Sequence, residues 1–286
     1  MVSRFIAWML ALGIWATWLA PRGLADCPVT LGLDHLTLAV GDLERACTTF
    51  LELGFALKPG CVHDNGIRNA HLKFVDGAGI ELLAVPEIND GLTAHYAAFL
   101  DSGDGPAFMS LHARDTRQLH DCLTEGGYGF RQAGDITQLS LPEFDCLFLV
   151  RDNRSVSDRP EHFAHANGAM ALSAVWIATE HGDDLVRLLV QLGGTVQSSQ
   201  VQAPEPVRAQ VVSLDSGRVV ILPASHQRLP GRPVIGASFS VTDLAKVRQV
   251  LASARIRTRD EHDTSERVLL EPEFAHGLWL EFRPGT

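Results

Sequence analysis

The stretch DHLTLAVGDLERACTTFLELGF, Asp34 to Phe55, decides the fold. From His35 onward small and apolar residues alternate, as they do along a strand whose side chains point to opposite faces in turn. Gly41-Asp42 then breaks the pattern, and Leu43, Ala46, Cys47, Phe50 and Leu51 follow on one face at helical spacing. Asp42 stands where a carboxylate can accept the unpaired N–H groups of a helix start and meet the positive end of its dipole. Strand, acidic turn, helix is therefore the local order, with one imidazole, His35, near the start of a core strand.

The same order recurs at AFMSLHARDTRQLHDCLTEGGYGF (107–130), LSAVWIATEHGDDLVRLLVQLGGTV (172–196) and IGASFSVTDLAKVRQVLASARI (235–256). Asp115, Asp184 and Asp243 take the place of Asp42, at or near the three further helix starts. Strand-like runs joined by tight turns follow each helix, such as RNAHLKFV and GIELLAV around DGAG. The unit is β-α-β-β-β, used four times in an α+β chain. One such unit cannot bury both faces of its small sheet, but two side by side can share a sheet and enclose a cleft. The polar run RDNRSVSDRPEH (151–162) is the expected boundary between pairs, giving domains over 31–160 and 161–286, each a pair of modules forming a curved-sheet barrel.

The net charge of −10 argues against a nucleic acid as partner, because that affinity comes from cations that neutralise phosphates. Residues 1–25 differ from the rest: Arg4, an uncharged apolar run from Phe5 to Ala20, then Gly23 and Ala25 at the spacing of a cleavage site. They read as a secretory signal peptide, which predicts a periplasmic or secreted chain with no stable membrane span after cleavage; a lipidated Cys27 is a less favoured alternative. Of the five cysteines, Cys47 and Cys122 lie on apolar helix stripes and are expected as buried free thiols.

Three stretches, LDHLTLAVGDLERA, GCVHDNGIRNAHLKFVDGAGIELLAV and HANGAMALSAV, resemble the vicinal oxygen chelate superfamily, and within it the glyoxalase-like branch. The resemblance implies paired βαβββ modules and a divalent metal in the cleft, with a first-strand His and a last-strand Glu among its ligands. His35 and Glu81 match those positions. Imidazole and carboxylate suit Zn, Fe(II), Mn, Ni or Co. The aligned pairs are Phe108 and Phe148 in module two, Ala174 and Val220 in module three, and Gly236 and Glu281 in module four, so the symmetric ligand set is absent.

Further ligands are sought in His112, four residues beyond Phe108 on the same strand face, and in His165 of HANG, which stands where the branch has His-Pro-Asn-Gly. His63 and Asn69 match polar positions of that branch. Glu81 and His63 are the candidates for moving a proton, and Arg68, Asn69 and Asn167 for binding substrate, Arg68 through its bidentate fork. The expectation is an exported, metal-dependent enzyme of lyase or isomerase type, acting on a small oxygenated molecule. A metal-free binding or sequestering protein and an extradiol-type dioxygenase are the alternatives, and a homodimer is possible in each case.

Overall fold

A computed structural model describes residues 27, 29–151, 154–202, 204–259 and 266–285; the leader expected over residues 1–25 lies outside them. The first module is β1 (Leu31–Ala39), α1 (Leu43–Glu52), β2 (Lys58–Val62), β3 (Arg68–Lys73) and β4 (Gly79–Ala84). Next come α2 (Gly91–Leu100), β5 (Gly105–Ala113), α3 (Thr116–Glu125), β6 (Phe130–Ala133), β7 (Ile136–Leu139) and β8 (Leu147–Val150). Module three is β9 (Ala169–Thr179), α4 (Gly182–Gln191), β10 (Thr195–Gln202), β11 (Pro206–Ser213) and β12 (Arg218–Pro223). Module four shows β13 (Val234–Val241), α5 (Leu244–Ser253), β14 (Val268–Leu270) and β15 (Trp279–Pro284) among the described residues.

The strands form two sheets, in the orders β2-β3-β4-β1-β5-β8-β7-β6 and β10-β11-β12-β9-β13-β15-β14. In each module the first strand runs parallel to the last, and the two first strands of a pair meet antiparallel. The four modules thus pair into two curved sheets, as expected, and the sheets are open at their edges. At the ends of the first sheet β2 and β6 are short and mostly exposed, which blunts its edges.

Asp42, Asp115 and Asp243 cap their helices through the side chain. Asp184 instead sits inside the first turn of α4, whose cap is His181. Helix α2 was not foreseen, because GLTAHYAAFL carries no apolar stripe; it is fixed by a reciprocal capping box between Asp90 and Thr93.

The main core runs through both sheets, from Leu36, Leu38 and Phe50 to Val175, Leu188 and Phe239, and each sheet carries a smaller apolar cluster besides. At its centre Phe55 and Phe239 lie 5.1 Å apart, with Phe282 at 5.9 Å from Phe55 and Phe74 at 5.8 Å from Phe239. Two further ties cross long stretches of chain. Cys27 and Cys122 form a disulfide with Cα atoms 5.7 Å apart, which corrects the expected free thiol at Cys122. That residue lies on the buried stripe of α3 as expected, but faces a segment 95 residues earlier in the chain. In the polar run, Asp158 accepts hydrogen bonds from Lys58 Nζ at 2.5 Å and Lys73 Nζ at 3.1 Å, strapping this segment to the first sheet.

Candidate active-site cleft of the first sheet

The face of the first sheet turned away from the shared core carries the polar cluster. On β1 the register with β5 slips between Leu33 and His35. Such an irregularity re-aims side chains, and here it accompanies a contact between sequence neighbours: buried Asp34 lies 2.5 Å from His35 Nδ1. His35 Nε2 is thereby left facing Glu81 Oε2 at 3.8 Å. Burial disfavours the imidazolium of His35, but the hydrogen bond and charge of Asp34 and the charge of Glu81 outweigh it and raise its pKa.

Glu81 is held from its other side. Asn69 Nδ2 donates to Glu81 Oε1 at 2.7 Å and lies 3.1 Å from His63 Nε2, while Asn69 Oδ1 accepts the Cys61 N–H at 2.9 Å. One buried amide thus positions a carboxylate, an imidazole and the β2–β3 loop together. His71, which sequence reading passed over, stands opposite Glu81 in the β3–β4 register. Burial lowers its pKa, and the nearby cations Lys73, His35 and Lys58 work in the same direction against the attraction of Glu81. Its signal was present in RNAHLK, where a period of two puts Asn69 and His71 on one face.

His35, His63 and Glu81 border a cavity of about 400 Å³ whose opposite wall is Phe108, Phe148 and Tyr96. Phe148 meets His35 edge-on at 5.5 Å, Phe108 lies 6.1 Å from Phe148, and Tyr96 lies 5.6 Å from Phe108. Tyr96 comes from the unforeseen α2; burial and the Glu81 charge push its pKa up, against a hydrogen bond to Thr37. The cavity has one polar end and one aromatic end.

Register explains why the other modules lack this pole. Glu81 faces Thr37 in the first module, Phe148 faces Ser110 in the second, Val220 faces Trp176 in the third and Glu281 faces Ser238 in the fourth. Two residues before each of these partners lie His35, Phe108, Ala174 and Gly236. At Gly236 a Cβ would sit 2.4 Å from the ring of Trp176, so the indole occupies the room that a side chain there would need. Trp176 Nε1 donates to Ser238 Oγ, which donates to Glu281 Oε2 at 2.6 Å, and Arg283 pairs with Oε1 at 2.9 Å. With Trp279 also buried, the second sheet's counterpart face is packed, and Glu281 is buried within it.

The remaining expected site residues do not reach the cleft. His112 does alternate with Phe108, but at the far end of β5, where its Nδ1 lies 3.2 Å from the Leu33 carbonyl. His165 accepts the Ala56 N–H at Nδ1 (2.9 Å) and donates from Nε2 to the Lys73 carbonyl (3.0 Å), which leaves neither nitrogen for a metal. Burial lowers its pKa against that second bond. Asn167 is fully buried, donating to the Leu53 carbonyl and accepting the Ala169 N–H. His165 and Asn167 together clip the end of α1 to the start of the second sheet, a structural rather than a ligand-binding task. Arg68 is exposed on the opposite face of β3, 2.6 Å from Glu44 of α1.

Paired βαβββ modules that share open sheets define the vicinal oxygen chelate fold. Residues 33–193 match the glyoxalase-like domain family, and the chain belongs to it. No curated protein matches the chain. Among solved structures it is similar to a mutant of homoprotocatechuate 2,3-dioxygenase from Brevibacterium fuscum, with 12% identity, a TM-score of 0.64, and 93% of this chain and 74% of that one covered. It is also similar to a xylose isomerase-like TIM barrel/4-hydroxyphenylpyruvate dioxygenase fusion protein, with 14% identity, a TM-score of 0.61 and 92% of this chain covered. The chain spans about half of that protein's length (51%). A hypothetical protein from Staphylococcus aureus matches over 89% of this chain and 99% of its own, at 12% identity and a TM-score of 0.59. These likenesses establish the fold alone.

Proposed function

We propose that the first-sheet cleft is the active site of a metal-dependent enzyme of lyase or isomerase type, acting on a small molecule with neighbouring oxygens and a flat apolar body. The observation that carries this reading is the 3.8 Å separation of His35 Nε2 and Glu81 Oε2. Each faces the other while a partner, Asp34 or Asn69, holds the opposite end of its side chain. That is the usual support of a ligating imidazole and carboxylate. His35 and Glu81 would together hold a divalent ion. Ser110 Oγ, buried and directly across the register from His35, has no hydrogen-bond partner among the described residues. The donors on offer are one imidazole and one carboxylate, and no group of three or more His, Cys, Asp or Glu side chains placed for a metal occurs among the described residues, so the other positions on an ion would fall to water or substrate.

A divalent ion bound there supplies Lewis acidity to the neighbouring oxygens of the substrate. The chain's own residues do the rest. Asp34 fixes the His35 ring so that Nε2 faces the cleft. Asn69 holds Glu81 Oε1 and, through its second N–H, orients His63 at the cavity mouth, where its imidazole is placed to carry a proton. Phe108, Phe148 and Tyr96 take the apolar body and exclude water. We further read residues 1–25 as an export signal, a reading that the Cys27–Cys122 pairing supports because disulfides persist in oxidising compartments.

The test is metal content and affinity of the untagged protein from its own compartment, alongside His35→Ala and Glu81→Ala. One ion per chain, held about ten-fold or more weakly in each variant, is the expected result. Substoichiometric metal that neither substitution changes would refute it. Phe108 and Phe148 at the ligand positions of module two favour a metal-free binder as the second reading. That reading predicts ligand binding unaffected by chelators.

A further inference from the structure

A second cavity, of about 410 Å³, lies where the two sheet units meet. The first unit contributes Arg45 and Asp104, and the second Arg228, Arg232, Glu273 and His276. The cleft chemistry does not use this cavity.

Its floor is rigid. His276 adopts φ 50° and Gly277 φ 91°, so two successive residues are left-handed, and the first is not a glycine. A Cβ on Gly277 would sit 2.7 Å from the Asp104 carbonyl oxygen, so only glycine allows this approach between the units. The turn holds the His276 ring with Nδ1 2.7 Å from Asp104 Oδ2 and Nε2 3.0 Å from Thr49 Oγ1. Asp104 Oδ1 accepts the Gly41 N–H at 2.8 Å, which leaves neither carboxylate oxygen unpartnered.

Its walls are cationic. Arg232 donates to the carbonyl oxygens of Gly103 and Phe99, and its guanidinium lies 3.6 Å over the Phe99 ring. The charge is therefore fixed in place chiefly by neutral groups, with Asp104 the carboxylate that acts on it. Arg45 and Arg228 are exposed, and no carboxylate among the described residues lies within ion-pair distance of either. Three arginines border one cavity in a chain whose net charge is −10, with exposed Glu273 as the carboxylate not already bound to the floor.

We propose that this cavity binds a small dianion, a dicarboxylate or a phosphate-bearing molecule. The planar forks of Arg45 and Arg228 take its oxygens bidentately, and Arg232 provides the fixed field. Because Arg45 belongs to α1 and Arg228 to the second unit, the bound anion joins the two and raises the stability of both.

The experiment is calorimetric titration and thermal melting of the full chain with inorganic phosphate and, separately, with succinate, at constant ionic strength set with sodium chloride. Saturable binding of at least one probe, with a rise in Tm, is expected; which probe binds tells phosphate from carboxylate recognition. Arg45→Ala and Arg228→Ala should each weaken it about ten-fold or more. Arg208→Ala, at an exposed arginine that bonds Ser198 outside the cavity, should not. No saturable binding of either probe below about 10 mM, or equal binding by wild type and both cavity variants, would overturn the proposal. Loss of binding in His35→Ala would also overturn it, by placing the anion in the first cleft.

Discussion

Replacing Asp158 by alanine removes the acceptor that Lys58 and Lys73 share. Lys73 is only 3% exposed, and the side chains of Lys58 and Asp158 are each 12% exposed. Burial alone would raise the Asp158 pKa, but the hydrogen bonds from Lys58, the Ser155 N–H and Lys73 bring it from 3.8 to about 2. That difference corresponds to about 2.4 kcal/mol, which solvent at the edge of the segment reduces to about 1–2 kcal/mol. Loosening the hold on buried Lys73 adds to this, for a total near 3 kcal/mol. In a chain of this length the Tm should fall by about 6–12 °C.

The sign of the pH dependence follows from the depressed carboxyl. Its contribution is complete above the unfolded value of 3.8 and fades as pH falls through about 2. Urea midpoints of wild type and Asp158→Ala should therefore differ fully near pH 7 and converge below about pH 4. An NMR titration should also show the His35 pKa reduced in the variant, because Asp158 no longer offsets the Lys73 charge that opposes its protonation. A stability loss below about 0.5 kcal/mol near pH 7, or a gap that does not shrink in acid, would refute this account of the strap.

Three further outcomes follow from the fold. Removing the disulfide with Cys27→Ser and Cys122→Ser should cost about 4–5 kcal/mol by the entropy of closing a loop of this length, read as a lower urea midpoint that reductant no longer shifts. His165→Ala should destabilise by about 2–4 kcal/mol through two backbone hydrogen bonds and its ring contacts with Phe55 and Phe74. Arg68→Ala should change stability by less than about 1 kcal/mol, and neither variant should alter metal content.

The module pattern was legible in sequence because it rests on local periodicity: alternation on β1, an apolar stripe on α1, and an acid at the turn between them. The His35–Glu81 pole was legible through its place in that pattern. His112, His165, Asn167 and Arg68 misled for a common reason, since residue type and strand phase do not fix depth along a strand or the far partner of a side chain. His165 looks like a ligand until Ala56 and Lys73, 109 and 92 residues away in sequence, take both its nitrogens. Helix α2, which brings Tyr96 to the cavity, lacks the stripe that announces a helix, and the Cys27–Cys122 pair has no spacing signal.

The aromatic cluster of Phe55, Phe74, Phe239 and Phe282 draws two members from each half of the chain. A chain cut within the polar run at 151–162 would leave each fragment with an unfinished hydrophobic face shaped to fit the other's. The halves would then behave as complementary pieces of one folding unit, and a change in either would be felt as a change in how well they recognise each other.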